Sequence, residues 1–348
     1  MSSLDEFALI RRLTDGKQSV AFQQACGVDK GIGDDAAVAY LAPGCQLVMT
    51  CDTMTESIHF QAHTMRDSDI GYKAMAAAIS DIAAMGAIPR YALIALSFPK
   101  EMSQHKLEAV YQGLYDCANR WSVVVVGGDT TSCIGGLTVT VTVIGEVQEG
   151  RALLRSTAKT GDVVFATGEL GCSAAGLDYL LKQALPADQW PDVEDGSSEA
   201  RLIAAHCRPQ PQVDAGQFLQ QSQVCGALND VSDGLASEAW EISEASGVGI
   251  DLIEDRIPIA DELMAYAIRT EKDPLDYILY GGEDYHLIGT MQAEHVIDMQ
   301  IKFKAAGLTL YIIGYVNAEN SGVRLVQSSG YVVPIAKQGY NHFGKDLS

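Results

Sequence analysis

Acidic residues recur in five short segments of this sequence, most of them where an apolar run ends. The five are Gly33-Asp34-Asp35, Thr50-Cys51-Asp52, Ser80-Asp81, Gly128-Asp129-Thr130 and Asp230-Val231-Ser232-Asp233-Gly234. Carboxylate and hydroxyl oxygens are the ligands that Mg²⁺ prefers in proteins. Together the segments predict a site with several Mg²⁺ ions that would hold a nucleotide triphosphate. For most of them taken singly, a turn or a helix cap is the competing explanation.

Asp81 is the most informative of these acids because of the helix predicted around it. Between Ala74 and Met85 small side chains dominate on all sides, which predicts a closely packed and largely buried helix. An ionised carboxylate in such surroundings is costly unless a cation or hydrogen-bond donors satisfy it. We therefore favour metal binding by Asp81. The alternative is that it faces solvent through a gap in the apolar surface.

The first half of the chain is predicted to contain strands that alternate with two helices. Apolar runs at Gln46–Thr50 and Ser122–Val126 predict strands that end at Thr50-Cys51-Asp52 and at Gly127-Gly128-Asp129. The carboxyl end of a strand is where α/β proteins bind ligands. Asp67–Met85 is predicted to be a helix. The run Leu137–Val147 predicts a further strand, and its part Leu137–Val143 alternates apolar residues with threonine, as a strand with one buried face does.

Near residue 150 a second series of strands and helices begins, so we predict two domains, 1–150 and 151–348. Strands again alternate with helices, which favours an α/β fold. Asp230 and Asp233 flank the start of a predicted helix, where capping competes with metal binding. Gly281-Gly282-Glu283-Asp284 precedes a predicted strand. Leu185–Ser198 is predicted to be a surface loop.

Composition narrows the classes of function. The chain has 24 basic and 45 acidic residues, a net charge of −21, which argues against binding nucleic acid through a basic patch. No apolar run is long enough to span a bilayer, and the N-terminus lacks the features of a signal peptide. The eight cysteines include no C-x-x-C pair, as expected for reduced thiols in a cytoplasmic protein.

Taken in order, these segments resemble the thiamine-monophosphate kinases, a family of the aminoimidazole-ribonucleotide synthetase-like ATP-binding superfamily. The matching pieces span nearly the whole chain and follow the family order. They are 31–37, Thr50-Cys51-Asp52 with His59-Phe60, 80–87, Gly127-Gly128-Asp129-Thr130, 230–235, Gly281-Gly282-Glu283-Asp284-Tyr285 and Gly339-Tyr340-Asn341-His342-Phe343. No single piece is decisive, but the ordered set is highly specific.

The resemblance implies ATP-dependent phosphorylation of thiamine monophosphate to thiamine diphosphate, the final step of thiamine diphosphate synthesis. Transfer would be direct and in line, with several Mg²⁺ ions and no catalytic acid or base, since the acceptor phosphate is already anionic. The implied metal ligands are Asp34, Thr50, Cys51, Asp52, Asp81, Asp129, Asp230 and Asp233. The family usually has Thr at the position of Cys51, where a backbone carbonyl could also serve.

The resemblance also assigns the contacts to the two reactants. The implied contacts to ATP are Tyr111, Gly128, Asp129, Arg155 and Ser232, and those to thiamine monophosphate are His59, Glu283 and Tyr340. The implied fold is two α/β (α+β) domains, the first with a sheet that pairs with a second copy to form a homodimer.

Two kinds of alternative remain. Other members of the superfamily use ATP to activate an amidine, selenide or the C-terminal cysteine of a partner protein. A protein of a different class would bind nucleotide or divalent ions without catalysis. The release of ADP with thiamine monophosphate, compared with other acceptors, distinguishes them.

Overall fold

The structure is a computed structural model that describes residues 6–33, 35–190, 196–319 and 321–338. It divides into two compact units. The first comprises Met1–Ile82, Ala87–Ala152 and Gln183–Trp190, and the second comprises Ala83–Gly86, Leu153–Lys182 and Pro191–Ser348. Within the described residues, no helix has the length and apolarity that a membrane crossing requires.

The first unit contains a four-stranded sheet with two long helices. Its elements are α1 (Glu6–Thr14), α2 (Val20–Ala25), β1 (Val28–Lys30), β2 (Val38–Ala39), β3 (Cys45–Thr55), α3 (Asp67–Ala84), β4 (Ile88–Phe98), α4 (Gln104–Arg120), β5 (Val124–Ser132) and β6 (Thr138–Gln148). The strand order is β3-β6-β4-β5, with β4 and β5 parallel and the other pairs antiparallel. Strands β1 and β2 form a separate small pair.

The alternating pattern of β6 explains how this sheet is buried. Val139, Val141 and Val143 are fully buried, whereas the threonines that alternate with them are partly exposed. Successive side chains of a strand point to opposite faces, so one face of β6 is apolar and the other is polar. The strand that the sequence predicts at Leu137–Val147 is confirmed, with the bounds Thr138–Gln148.

Helices α3 and α4 approach each other closely at two glycines. A Cβ added at Gly71 would lie 1.9 Å from the carbonyl oxygen of Val110, and one at Gly113 would lie 1.7 Å from that of Ser68. Only glycine permits such an approach of two backbones. Further along α3, the stretch that the sequence predicts to be largely buried is so, since Met75, Ala78, Ile79 and Ile82 are fully buried.

The second unit is built on a seven-stranded sheet. Its elements are β7 (Asp162–Ala166), α5 (Cys172–Gln183), α6 (Ser198–Cys207), α7 (Val213–Ser222), β8 (Cys225–Asp230), α8 (Leu235–Ser246), β9 (Gly249–Ile253), α9 (Asp261–Thr270), α10 (Pro274–Tyr280), β10 (Leu287–Gln292), α11 (Val296–Ala305), β11 (Tyr311–Asn317), β12 (Gly322–Val326) and β13 (Val332–Pro334). The order is β13-β12-β9-β11-β7-β10-β8, so β8, which ends at Asp230, is an edge strand.

Candidate functional site

Strand β3 and helix α3 bring three of the predicted ligands together in the first unit. The Thr50 hydroxyl donates a hydrogen bond to Oδ2 of Asp81. Asp52 lies two residues along β3 from Thr50, so the two side chains point to the same face of the sheet. Thr50, Asp52 and Asp81 are all partly buried. The structure therefore gathers three hard oxygen donors from sequence-distant segments.

Asp52 carries the clearest electrostatic sign of a binding site. Burial, and then the nearby charge of Asp81, raises its pKa from 3.8 to about 7. Two carboxylates that are close together and partly desolvated disfavour ionisation of both, and a bound cation would relieve that repulsion. Among the described residues, no three His, Cys, Asp or Glu side chains are grouped so as to hold a metal ion by themselves. Asp34, the predicted ligand from the glycine-rich segment, lies outside the described residues.

Cys51 and His59 belong to the same stretch of chain as Thr50 and Asp52. Cys51 is exposed. It lies between Thr50 and Asp52 on β3, so its side chain points to the other face of the sheet from theirs. The imidazole of His59 is held by the chain itself, since its Nδ1 accepts a hydrogen bond of 3.0 Å from the Thr55 amide.

Asp129 lies apart from this cluster within one chain. Strands β3 and β5 are the two edges of the four-stranded sheet, with β6 and β4 between them. The sheet register runs from Asp52 through Val141 and Ile94 to Gly128, the residue before Asp129. Three inter-strand spacings amount to about 14 Å. The side chain of Asp129 is exposed.

Gly128 and Tyr111 lie beside Asp129 in the first unit. A Cβ at Gly128 would lie 1.8 Å from the carbonyl oxygen of Ile94, so the close pairing of β5 with β4 requires glycine there. Tyr111 on α4 is 6% exposed. Burial raises the pKa of Tyr111 to about 12, although a hydrogen bond with Thr130 acts against that rise. Tyr111 is therefore a neutral phenol at any physiological pH.

In the second unit, the predicted residues Arg155 and Asp230 lie around the end of β8. Asp230 is 2% exposed, and Asn229, which precedes it, is 1% exposed. The Arg155 guanidinium donates from Nε to Oδ1 of Asn229 at 2.8 Å. Its Nη1 is 3.4 Å from Oε2 of Glu241 on α8. Arg155 itself is exposed, so part of its guanidinium remains open to solvent.

Glu238, a residue that the sequence analysis missed, lies at the centre of this group. Its side chain accepts hydrogen bonds from Nδ2 of Asn229, from the Asp233 amide at 3.1 Å and from the Ser232 hydroxyl at 3.4 Å. Burial raises its pKa to about 8, with a further contribution from the charge of Asp230. The sequence could have indicated that Glu238 is buried, because it lies on the same face of α8 as Leu235, Ala239 and Ile242.

The loop that carries Glu283 packs directly on the Asp230–Gly234 loop. The Glu283 amide donates to the Ser232 carbonyl at 2.7 Å, and the Tyr285 amide donates to that of Val231 at 2.9 Å. Both Glu283 and Tyr285 have positive φ, 68° and 54°. A non-glycine residue rarely adopts that conformation, and residues that do cluster at functional sites.

The Glu283 carboxylate itself faces helix α6. Its Oε2 lies 3.6 Å from Nδ1 of His206, which is fully buried. The neighbouring Asp284 accepts hydrogen bonds from the amides of Gly171 and Ser173 at the start of α5. The Asp284 carboxylate therefore satisfies two backbone amides at the start of α5, although it comes from a distant part of the chain. Tyr340, the third predicted substrate contact, lies outside the described residues.

Comparison with known proteins identifies the family. Residues 33–147 match the AIR synthase related protein, N-terminal domain, and residues 159–327 match the corresponding C-terminal domain. The chain is 40% identical over 340 residues to the thiamine-monophosphate kinase of Bacillus subtilis (strain 168), covering 98% of this chain and 100% of the relative.

Solved structures agree with this match. The thiamine-monophosphate kinase from Stenotrophomonas maltophilia K279a superposes with a TM-score of 0.79 at 34% identity, covering 92% of this chain and 96% of that one. A structure described as AaThiL complexed with AMPPCP and TMP has a TM-score of 0.75 at 30% identity, covering 99% of this chain and 98% of that one. These matches confirm the predicted two-domain α/β fold. The chain belongs to the thiamine-monophosphate kinase family and is a kinase.

Proposed function

We propose that this protein transfers the terminal phosphoryl group of ATP to the phosphate of thiamine monophosphate, giving thiamine diphosphate and ADP. The observation that carries the proposal is the cluster of Thr50, Asp52 and Asp81, in a chain 40% identical to a thiamine-monophosphate kinase along its length. A further support is the structural neighbour whose description names AMPPCP and TMP. The reaction is the final step of thiamine diphosphate synthesis.

The donor set fits Mg²⁺. Thr50, Asp52 and Asp81 offer hydroxyl and carboxylate oxygens. Burial, and then the charge of Asp81, raises the pKa of Asp52, and a bound cation would favour its ionised form. When bound, Mg²⁺ would neutralise charge on the two polyanionic reactants and align them. We propose that the protein binds several such ions. The residues proposed for them are Asp34, Thr50, Cys51, Asp52, Asp81, Asp129, Asp230 and Asp233.

The nucleotide contacts are proposed from residue chemistry. Arg155 presents an exposed guanidinium, which pairs well with phosphate oxygens. Ser232 offers a hydroxyl beside the start of α8, where the helix dipole favours an anion. Gly128 allows close approach of a ligand to the backbone of β5, with the acid Asp129 beside it. Tyr111 would contribute a neutral hydroxyl.

For thiamine monophosphate we propose contacts from His59, Glu283 and Tyr340. The thiazolium ring of that substrate is cationic, so a carboxylate such as Glu283 is a suitable partner for it. His59 is held in a fixed orientation by the Thr55 amide, which suits a positioning role. The attacking oxygen belongs to a phosphate that is already anionic, so no side chain needs to remove a proton.

We also propose that two copies of the chain form a homodimer through the four-stranded sheet. Its edge strands are β3 and β5, and exposed sheet edges tend to pair. Leu47 and Met49 of β3 are 48% and 66% exposed, and Leu93 of β4 is 37% exposed. Apolar exposure of this kind is typical of an interaction surface. Pairing β3 of one copy with β5 of the other would also bring Asp129 of one chain towards Asp52 of the other.

The proposed function is tested by measuring ADP release, with thiamine monophosphate compared against thiamine, selenide and a formylglycinamidine ribonucleotide. Thiamine monophosphate should give the highest kcat/KM, and phosphorus NMR should show a new diphosphate in the product. Turnover of another acceptor, but not of thiamine monophosphate, would overturn the assignment. Binding of ATP without turnover of any acceptor would instead support a non-catalytic module.

A further inference from the structure

We propose that Glu238 is a positioning residue that holds the Asp230–Gly234 loop and Arg155 in the arrangement that binds ATP. The inference rests on the proposed function in one respect, since it takes Arg155 and Ser232 as nucleotide contacts. Glu238 would not touch the nucleotide itself. It would act through the residues that do.

The first support is that one carboxylate connects both ends of the loop. Asn229 immediately precedes the loop and donates from its amide nitrogen to Oε2 of Glu238. At the other end, the backbone of Asp233 and the hydroxyl of Ser232 donate to Oε1. A rigid acceptor placed between the two ends fixes the path of the loop, as a preorganised site requires.

The second support is the route from Glu238 to Arg155. The Asn229 side chain donates to Glu238 through its nitrogen and accepts from Arg155 Nε through its oxygen. Asn229 can serve both partners only in this orientation. Glu238 therefore determines which way the Asn229 amide faces, and thereby offers an acceptor to the guanidinium.

The third support is that a carboxyl group at this position lowers the stability of the fold. Glu238 is 3% exposed and lies near Asp230 and Asp233. An apolar residue on this face would stabilise helix α8 more, because burying a carboxyl group among other acids costs free energy, whether the group is ionised or is held protonated. Such local conflicts between sequence and stability are expected at functional sites. Both carboxyl oxygens of Glu238 accept hydrogen bonds from neighbouring groups of the chain. This arrangement suits a residue that positions its neighbours better than one that binds a metal ion.

The test compares Glu238→Gln with a matched control on the same helix, Glu241→Gln. Both replace a carboxyl group that is linked to Arg155, through Asn229 for Glu238 and directly for Glu241. Glu241 is partly exposed and has no contact with the loop among those that the structure describes. In Glu238→Gln an NH₂ group would replace an acceptor and face the NH₂ of Asn229. We expect the KM for ATP, and the Kd of a nonhydrolysable ATP analogue, to rise about tenfold, as loss of one hydrogen bond predicts.

The KM for thiamine monophosphate should change less than twofold in Glu238→Gln, and Glu241→Gln should leave both KM values within twofold. The double variant Asn229→Asp/Glu238→Gln exchanges the acceptor and the donor, so it should recover most of the affinity for ATP. Circular dichroism and the melting temperature establish that each variant is folded. If Glu238→Gln does not fold, the Kd of the ATP analogue for the double variant Asn229→Asp/Glu238→Gln tests the proposed role of Glu238 instead.

Three results would overturn the inference. They are an unchanged Kd for the ATP analogue in Glu238→Gln, an equal rise in Glu241→Gln, and no recovery in a folded double variant. Failure of the proposed function is recognised separately. A wild-type protein that releases no ADP with thiamine monophosphate would contradict that function, while the Kd for the ATP analogue still tests Glu238.

Discussion

The hydroxyl of Thr50 on β3 donates a hydrogen bond to Oδ2 of Asp81 on α3, although the two residues are 31 positions apart in the sequence. This contact joins a strand to the small-residue helix behind it. It also fixes the direction of an acid that we propose as a metal ligand. The first prediction tests that contact.

Thr50→Val should raise the concentration of Mg²⁺ that the protein needs for activity. Valine matches threonine in shape but cannot donate to Asp81 or ligate a metal. Loss of a hydrogen bond to a charged group is worth about 1.5–3 kcal/mol, so the Mg²⁺ concentration for half-maximal activity should rise at least about tenfold. Thr50→Ser keeps the hydroxyl and should remain close to wild type. An equal loss in both variants would mean that the hydroxyl is not the group that matters at this position.

Asp52→Asn should lower the activity of the protein without lowering its stability. We expect kcat to fall at least about a hundredfold, as when one electrostatic contact to a transition state is removed. Without Mg²⁺ the melting temperature should stay the same or rise, because the substitution removes a partly buried charge that Asp81 repels. Calorimetry without metal and ADP release with excess Mg²⁺ provide the two measurements. Near-normal turnover would exclude Asp52 as a ligand.

Asp298→Asn is the control for this substitution. Asp298 is an acid on α11 that is paired with Lys302 and largely exposed. Asp298→Asn should change neither the melting temperature nor kcat appreciably, since surface ion pairs contribute little to the free energy of unfolding.

Mixing two inactive variants tests whether Asp52 and Asp129 act across a dimer. Refolding Asp52→Asn together with Asp129→Asn yields heterodimers as about half of the molecules. If each site takes Asp52 from one chain and Asp129 from the other, one of the two sites in every heterodimer is intact. The mixture should then recover about a quarter of wild-type activity. If both acids act within one chain, every site carries a lesion and no activity returns.

His286 should make the protein sensitive to acid. Its ring packs against Gly168, where a Cβ would lie 2.1 Å from the ring, and its Nδ1 is buried without a hydrogen-bond partner in the described part of the chain. Burial lowers the pKa of His286 from 6.5 to about 4. Between these values the unfolded state binds a proton that the folded state does not, so stability is lost as pH falls from about 6.5 towards 4.

Urea unfolding at several pH values measures this effect. In His286→Gln the slope of the free energy of unfolding against pH should decrease by up to about 1.4 kcal/mol per pH unit, the value for one proton. His105→Gln, which replaces an exposed histidine, is the control variant. A wild-type slope in His286→Gln would show that His286 titrates normally in the folded protein.

Several elements follow from local sequence alone. The alternation of β6 and the small residues of α3 predict a strand and a closely packed helix, and the structure has both. The strand predicted after the Gly281-Gly282 turn begins later, at Leu287, because Glu283 and Tyr285 adopt positive φ in order to pair with the Asp230–Gly234 loop. Helix α10 was missed, since its seven residues are too few for a helical period to stand out.

The sequence by itself determined the family, the order of the acidic segments and the kinds of oxygen donor they provide, since these depend only on residue type and spacing. The tertiary structure decided which donors meet. It joined Thr50 to Asp81, separated Asp129 from Asp52 by two strands, and placed Glu238 between Asn229 and Ser232. Sheet register and burial depend on residues far away in the chain, and they alone set the distances between donors and the raised pKa of Asp52.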